Sequence, residues 1–307
     1  VLTSITNLTH SRRIVRLYGY GHYQYAPHMK GVLLVFAIVV SSSLYTMLDT
    51  TMLGAMIGDT AVGLYTAASK LNRLAVKLVM AICSVFLPRL AVLRAKADRE
   101  GFQKLAGIAG NIILGLATPL AVGLWILAPE AISLFSGSEF MAAVPAMRVM
   151  CVDLLLAACS SFVAWQILMP SGLERYLLVA TLAGGLADFI LNYFFIDWWN
   201  VAGAASATVI SEGIVLFVCV WFGRKTLDFY RIVRHFWQYL LACVPFFAVR
   251  WAVGLLVQRT IATVICTVLP CAILYTALLL AMKSPYLLQL LGEMQAFIHR
   301  NTHAKNT

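Results

Sequence analysis

The sequence predicts an all-α integral membrane protein, a polytopic bundle of about eight transmembrane helices. Of its 307 residues, 61% are hydrophobic and only 12% are charged, and the mean hydropathy is +0.85. Soluble domains are about half apolar and about a quarter charged, so this chain carries more apolar side chain than a soluble core can bury. The apolar residues fall into long runs, which membrane helices need, rather than the short alternating segments of a barrel. Intrinsic disorder, a disulfide scaffold and a soluble enzyme are therefore excluded as first interpretations.

Eight segments are long and apolar enough to cross a bilayer, for which about 20 residues are needed. They cover residues 31–49, 62–88, 105–128, 147–169, 176–196, 201–223, 236–257 and 260–282. We expect Pro119, Pro245 and Pro270 to kink their helices, and Gly184–Gly185 to let a neighbouring helix approach closely. The shorter segment 129–146 is typical of a helix that lies at the membrane interface.

The distribution of Lys and Arg supports this set of spans. Alternate connecting segments, together with both ends of the chain, hold 17 of the 23 cations, whereas the segments on the opposite side hold only Arg259. Cytoplasmic loops are enriched in Lys and Arg, so both termini of this chain are predicted to be cytoplasmic. The net charge of +10 is thereby explained by topology, and no nucleic-acid partner is expected.

Neither the cysteines nor the histidines form a metal-binding pattern. The seven cysteines lie inside apolar segments without a CxxC pair, and the six histidines lie in polar flanks with no cysteine at ligand spacing. We therefore predict no metal site, no disulfide framework and no cofactor.

Three cations on the second predicted span indicate a binding cavity. Lys70, Arg73 and Lys77 lie within about 60° of one another on a helix, and Thr66 shares their face. Neither lipid nor a dry core tolerates three cations on one face, because each charge at bilayer depth costs about 3 kcal/mol or more. A water-filled basic cavity that attracts phosphate, pyrophosphate or acidic sugars satisfies both constraints. The alternative is that Lys70 extends to the interface while Lys77 pairs with a neighbouring acid.

Polar residues within the fifth and sixth spans allow two interpretations. Asp188 and Asn192 are one helical turn apart, and Glu212 lies midway along its span. One or more of them could bind a coupling proton or sodium ion, since burial alters the proton affinity of a carboxyl group. Equally, they could be structural partners of Lys77 or Arg148.

Two further acids receive simpler assignments. Asp49 closes the first predicted span and is placed with Asp59 on the side opposite the cytoplasm. Asp153 is expected to make a local polar contact with Arg148.

Five short segments of the sequence form a recognisable series. They are 49–54 (DTTMLG), 62–71 (VGLYTAASKL), 87–89 (LPR), 135–140 (FSGSEF) and 201–205 (VAGAA). Their order and spacing resemble the Wzx-type polysaccharide-export flippases, members of the superfamily that includes the MATE exporters. The resemblance covers about residues 30–223.

The resemblance implies a domain organisation. Flippases of this type are built from two six-helix lobes around a central cavity, and this sequence matches the second lobe. Residues 1–30 would be the cytoplasmic linker between the lobes, 31–223 the six-helix lobe, and 224–307 two additional helices with a basic cytoplasmic tail. The first lobe would then belong to the same, longer protein.

The resemblance also implies a function. The protein would be a transporter rather than an enzyme, flipping an oligosaccharide linked to undecaprenyl pyrophosphate across the bacterial inner membrane. The oligosaccharide would serve O-antigen (lipopolysaccharide), capsule or exopolysaccharide biosynthesis. The implied partners are that carrier lipid, the membrane lipids, the missing lobe and the polymerase of the same pathway. Alternatives are a MATE-type cation antiporter, a lipid II flippase and a polyprenyl-phosphate transferase, although no paired acidic motif that would hold Mg²⁺ is present.

Overall fold

A computed structural model of the protein describes residues 26–256, 260–282 and Ser284. Within those residues the chain is helical and contains no strand. The helices are α1 (Ala26–Met56), α2 (Asp59–Cys83), α3 (Leu87–Ala95), α4 (Arg99–Ile126), α5 (Ala128–Ser136), α6 (Val144–Phe162), α7 (174–199), α8 (201–223), α9 (Tyr230–Val233), α10 (Phe236–Cys243), α11 (Pro245–Leu256) and α12 (Thr260–Ala281). Most of the predicted linker (1–30) and most of the predicted basic tail lie outside the described residues.

Seven helical stretches of the described chain are long and apolar enough to cross a membrane, and the protein is a multi-pass membrane protein. One of these stretches, Glu174–Gly223, is 50 residues long and reverses at Asn200, where the backbone leaves the helical region with a φ of 50°. It therefore supplies two of the predicted spans, α7 and α8. With this division, each of the eight predicted spans has a helical counterpart in the structure.

Two glycines allow α7 and α8 to pack tightly against each other as a hairpin. A Cβ atom added at Gly203, just after the reversal, would collide with the carbonyl group of Phe195. A Cβ atom at Gly184 would collide with the side chain of Val215. The close approach predicted for Gly184–Gly185 is thus made at Gly184 by the partner helix of the hairpin.

A proline in α4 helps to dock the last helices onto the bundle. Pro119 has no N–H, so the carbonyl group of Gly115, four residues earlier, has no helical partner. The hydroxyl of Tyr275 in α12 donates to that carbonyl oxygen at 2.7 Å. One turn away, Tyr239 of α10 donates to Asn111 Oδ1 at 3.0 Å. These hydrogen bonds fix α10 and α12 against the six-helix part of the chain.

The other proline predictions have mixed outcomes. Pro245 coincides with a real interruption, because α10 ends at Cys243 and α11 begins at Pro245. Pro119 and Pro270 lie inside helices that continue past them, and the kinks expected there remain predictions. Segment 129–146 forms short helical pieces, and its position at the membrane interface remains a prediction.

Buried apolar side chains form two clusters, which occupy different ends of α1, α2, α6, α7 and α8. On α1, Ile38 belongs to one cluster and Leu53 to the other; on α8, Val215 and Ala205 are divided in the same way. The buried residues between these clusters include most of the polar ones on α1, α2, α6, α7 and α8. The bundle therefore holds a polar layer between two apolar layers.

We predict that Tyr275→Phe destabilises the protein by about 1 kcal/mol, because the Gly115 carbonyl would lose its donor in an apolar setting. Thermal unfolding of the purified protein in detergent measures the effect. Tyr193→Phe is the matched control, since Tyr193 is exposed on α7 and its hydroxyl forms no hydrogen bond within the described part of the chain. Equal stability of the two variants would contradict this role for Tyr275.

Candidate functional site

A cavity of about 200 Å³ lies in the polar layer, between α1, α2, α6 and α8. Its walls contain three carboxyl groups, two cations and several neutral polar groups. The lining residues are Tyr45, Thr46, Asp49, Asn72, Arg73, Val76, Lys77, Asp153, Ala157, Thr208 and Glu212.

Helical periodicity explains how these side chains reach one space. Each of the four helices contributes residues separated by four positions, which lie above one another on a single face. Examples are Tyr45 with Asp49 on α1, and Thr208 with Glu212 on α8. Each helix thereby turns one polar face to the cavity and leaves its other faces for apolar packing or lipid.

The structure brings two of the four predicted cavity residues to this space. Arg73 and Lys77 line the cavity and are exposed, and Arg73 Nη2 donates to the backbone carbonyl of Thr46 at 3.3 Å. Lys70 is exposed and Thr66 is half-buried, but neither lines the cavity. The assignment of all four residues to an anion-binding cavity remains a prediction.

The charge of the cavity differs from the predicted basic one. Asp49, Asp153 and Glu212 share its walls with Arg73 and Lys77. The sequence did not reveal this balance, because the acids lie on other helices than the cations. The pairing of Lys77 with an acid, which was the alternative to a binding cavity, is absent: no carboxyl oxygen of the described residues lies within 4 Å of its ammonium group.

The predicted contact between Asp153 and Arg148 is not made, and three other contacts involve charged residues of the spans. Asp153 accepts a hydrogen bond from Asn72 Nδ2 at 2.6 Å rather than contacting Arg148. The Arg148 guanidinium instead lies 5.1 Å from the centre of the Trp125 ring, as a cation–π contact. Arg250 forms an ion pair with Glu130 of α5, which ties α11 to the rest of the bundle.

A buried cluster forms around Asp49 at the edge of the cavity. Asn192 Nδ2 donates to Asp49 Oδ1 at 2.8 Å and to Asp188 Oδ2 at 3.0 Å, so one amide bridges two carboxyl groups. The hydroxyl of Tyr65 donates to Asp49 Oδ2, and Thr208 donates to the same oxygen at 3.3 Å. Asp49 therefore lies inside the bundle rather than at the end of its helix, where the sequence had placed it: α1 continues to Met56, and Asp49 is 2% exposed.

Two oxygen atoms of this cluster have no hydrogen-bond donor. Asp188 and Asn192 are both 0% exposed, and the Oδ1 atom of each is unpaired within the described structure. Buried polar atoms are normally satisfied, so such exceptions call for an explanation. Carboxylate, amide and hydroxyl oxygens are the ligands that hard cations take, and a proton on one carboxyl group would also supply a donor.

Glu212 occupies a separate part of the polar layer. Its Oε1 accepts a hydrogen bond from the Ser160 hydroxyl of α6, and its Oε2 accepts one from Tyr45 of α1 at 3.4 Å. Glu212 thus links α8 to two other helices instead of joining Asp188 and Asn192, with which sequence reasoning had grouped it.

Sequence reasoning missed several members of the polar layer. Asp49, Asn72, Tyr45, Tyr65 and Ser160 were not assigned to any site. The available signal was the spacing of Tyr45 and Asp49, which lie four residues apart in an otherwise apolar run. No pattern within the sequence indicates that Asn72 meets Asp153, because 81 residues separate them.

Comparisons with known proteins agree with this architecture. Residues 21–145 match a family model described as "Polysaccharide biosynthesis protein". The chain is 22% identical over 172 residues to the "Probable low-salt glycan biosynthesis flippase Agl15" of Haloferax volcanii, an alignment that covers 55% of this chain and 36% of that protein. Among solved structures, "Lipid II flippase MurJ, inward closed conformation" matches with a TM-score of 0.70 at 18% identity, covering 86% of this chain and 56% of that chain.

The chain matches only about a third to about half of the length of these relatives. The MurJ likeness establishes the fold, and the family model and the glycan flippase add similarity at the level of sequence. The chain thus has a MurJ-like helical fold, and its resemblance to the Wzx-type flippases of the MATE-like superfamily is confirmed.

Proposed function

We propose that this chain forms one lobe of a flippase for lipid-linked oligosaccharides. The observation that carries the proposal is a cavity midway through the bundle whose wall exposes Arg73 and Lys77. Exposed cations at this depth raise the free energy of the protein in a membrane, and binding of an anionic group would offset that cost. The similarity to a glycan flippase and the MurJ-like fold supply the independent support.

The proposed cargo is an oligosaccharide on undecaprenyl pyrophosphate. The guanidinium of Arg73 offers paired donors that match phosphate geometry, and Lys77 adds a second positive charge. The cavity has a volume of about 200 Å³. We infer that it accepts the diphosphate while the lipid tail stays in the bilayer and the sugars extend toward a facing lobe.

The proposed setting is the bacterial inner membrane. Both termini of this chain would be cytoplasmic, and the cargo would move to the periplasmic side by alternating access about the bilayer midplane. Residues 31–223 would form the second lobe, with 1–30 as the linker to a first lobe and 224–307 as an added pair of helices. The polymerase that consumes the exported oligosaccharide is the expected partner.

We further propose that the cluster of Asp49, Asp188 and Asn192 binds the coupling ion. The unpaired Oδ1 atoms of Asp188 and Asn192 support this assignment, since a proton or a sodium ion would give them a partner. Thr208 connects the cluster to the cavity, because its hydroxyl contacts Asp49 and also lines the cavity wall. Glu212, the third residue suggested by the sequence, is already hydrogen-bonded on both oxygens.

Two other transport functions have specific observations in their favour. The fold match to MurJ is compatible with a lipid II flippase. The carboxyl groups of Asp49, Asp153 and Glu212 in the cavity wall favour a MATE-type exporter of organic cations. The nature of the accumulated or retained compound distinguishes all three functions.

We predict that the double substitution Arg73→Gln and Lys77→Gln in the chromosomal gene abolishes surface polysaccharide. The protein should remain in the membrane at its normal level, because neither side chain forms an ion pair within the described structure. Lipid-linked oligosaccharide should then accumulate on the cytoplasmic side, as measured by extraction and mass spectrometry. Lys96→Gln, which removes an exposed cation outside the cavity, is the matched control.

Three results would redirect the proposal. Normal surface polysaccharide in the double variant removes the role of the cavity cations. Loss of viability with accumulated lipid II supports the cell-wall flippase. Sensitivity to cationic drugs with normal polysaccharide supports the MATE-type exporter.

We predict that Asp188→Asn abolishes the response of the protein to its coupling ion. If sodium is that ion, NaCl should raise the thermal unfolding temperature of the purified wild-type protein above that in choline chloride, by mass action. A response to pH alone would identify a proton. Asp197→Asn, an exposed change on the same helix, should keep the wild-type response. Equal responses of Asp188→Asn and wild type would exclude this cluster as the coupling site.

A further inference from the structure

Asp153 and Asn72 form a second buried pair, on the wall of the cavity. Asn72 Nδ2 donates to Asp153 Oδ2 at 2.6 Å, and the two residues are 4% and 7% exposed, respectively. Asn72 Oδ1 and Asp153 Oδ1 have no donor within the described structure. The pattern repeats that of Asn192 and Asp188, but this pair joins two helices, α2 and α6, and both its members line the cavity.

One proton would satisfy both unpaired oxygens of this pair. A protonated Asp153 can donate a hydrogen bond through Oδ1. Asn72 Oδ1 can accept it, because the Asn72 amide is already hydrogen-bonded to the same carboxyl group. The carboxylic acid and the amide would then be joined by two hydrogen bonds instead of one.

Protonation of Asp153 would change the net charge that an anionic cargo meets, because other ionisable groups face the same cavity. Arg73 and Lys77 face the cavity from α2, Asp49 and Tyr45 from α1, and Glu212 from α8. Helix α4 also packs on α6, but residues 105–126 contain no ionisable side chain. With all carboxyl groups ionised, the wall carries three negative charges against two positive ones, and an anion entering it meets net repulsion.

We propose that the pair of Asp153 and Asn72 is a proton-binding site that sets the charge of the cavity. Asp153 takes up a proton from water in the cavity when an anionic head group occupies Arg73 and Lys77. It releases that proton when the head group leaves, and the ionised carboxylate then offsets the charge of Arg73. This inference rests on the proposed function, because it takes Arg73 and Lys77 as the ligands of the cargo.

Anion binding measured as a function of pH tests this site. The probe is dibutyl phosphate, a phosphodiester whose single charge is constant across the pH range used, so only the protein titrates. For the full-length wild-type protein in detergent, affinity should fall on the order of tenfold as pH rises, because a carboxylate appears beside the bound anion. Asp153→Asn should keep the low-pH affinity throughout. The control Asp59→Asn removes an exposed carboxyl group from the same helix as Arg73 and should behave as wild type.

Proton uptake by the wild-type protein provides a test that needs no variant to fold. Addition of dibutyl phosphate in weak buffer should make the solution more alkaline, as Asp153 takes a proton. Absence of uptake overturns the proposal, and so does the same pH dependence in Asp153→Asn and wild type. Failure of the proposed function looks different: the probe would bind neither protein, or would bind Arg73→Gln as tightly as wild type.

Discussion

The structure depends on a polar layer that must satisfy its own hydrogen bonds, because the lipid around it offers none. Asp49 shows how this is done, since it accepts hydrogen bonds from Asn192, Tyr65 and Thr208. These residues come from three other helices, α7, α2 and α8. A single carboxyl group thereby specifies how four helices meet, while the apolar layers above and below it supply packing without that specificity.

The polar layer both holds the helices together and lines the cavity. These two roles require opposite properties of its side chains. Residues that hold helices together must be paired, whereas residues that bind a ligand must have unused capacity. Glu212 illustrates the first case, with a donor on each oxygen from Ser160 and Tyr45. Arg73 and Lys77 illustrate the second, because they are exposed and the described structure gives neither an ion pair. The cations can therefore bind a ligand, whereas most of the acids already have hydrogen-bond partners within the protein.

Hydropathy and charge distribution predicted the spans well, because both follow from the bilayer itself. The lengths of the apolar runs correctly divided Glu174–Gly223 into two spans, although its helices join at the single residue Asn200. The polar layer was less predictable. Sequence reasoning ended the first span at Asp49, whereas the helix continues to Met56 and three donors allow the carboxyl group to lie inside the bundle. Partners such as Asn72 and Asp153 meet only through the tertiary fold, which no local pattern records.

The two Asp–Asn pairs differ in a way that bears on movement. Asp188 and Asn192 lie one turn apart on α7, so their hydrogen bond survives any rigid displacement of that helix. Asn72 and Asp153 lie on α2 and α6, and their hydrogen bond lasts only while those helices keep their present distance. A proton that added a second bond to this pair would stabilise the present arrangement over any in which α2 and α6 separate. Protonation at the cavity wall and the relative position of these two helices are therefore thermodynamically linked, since a ligand shifts an equilibrium by its preference for one state.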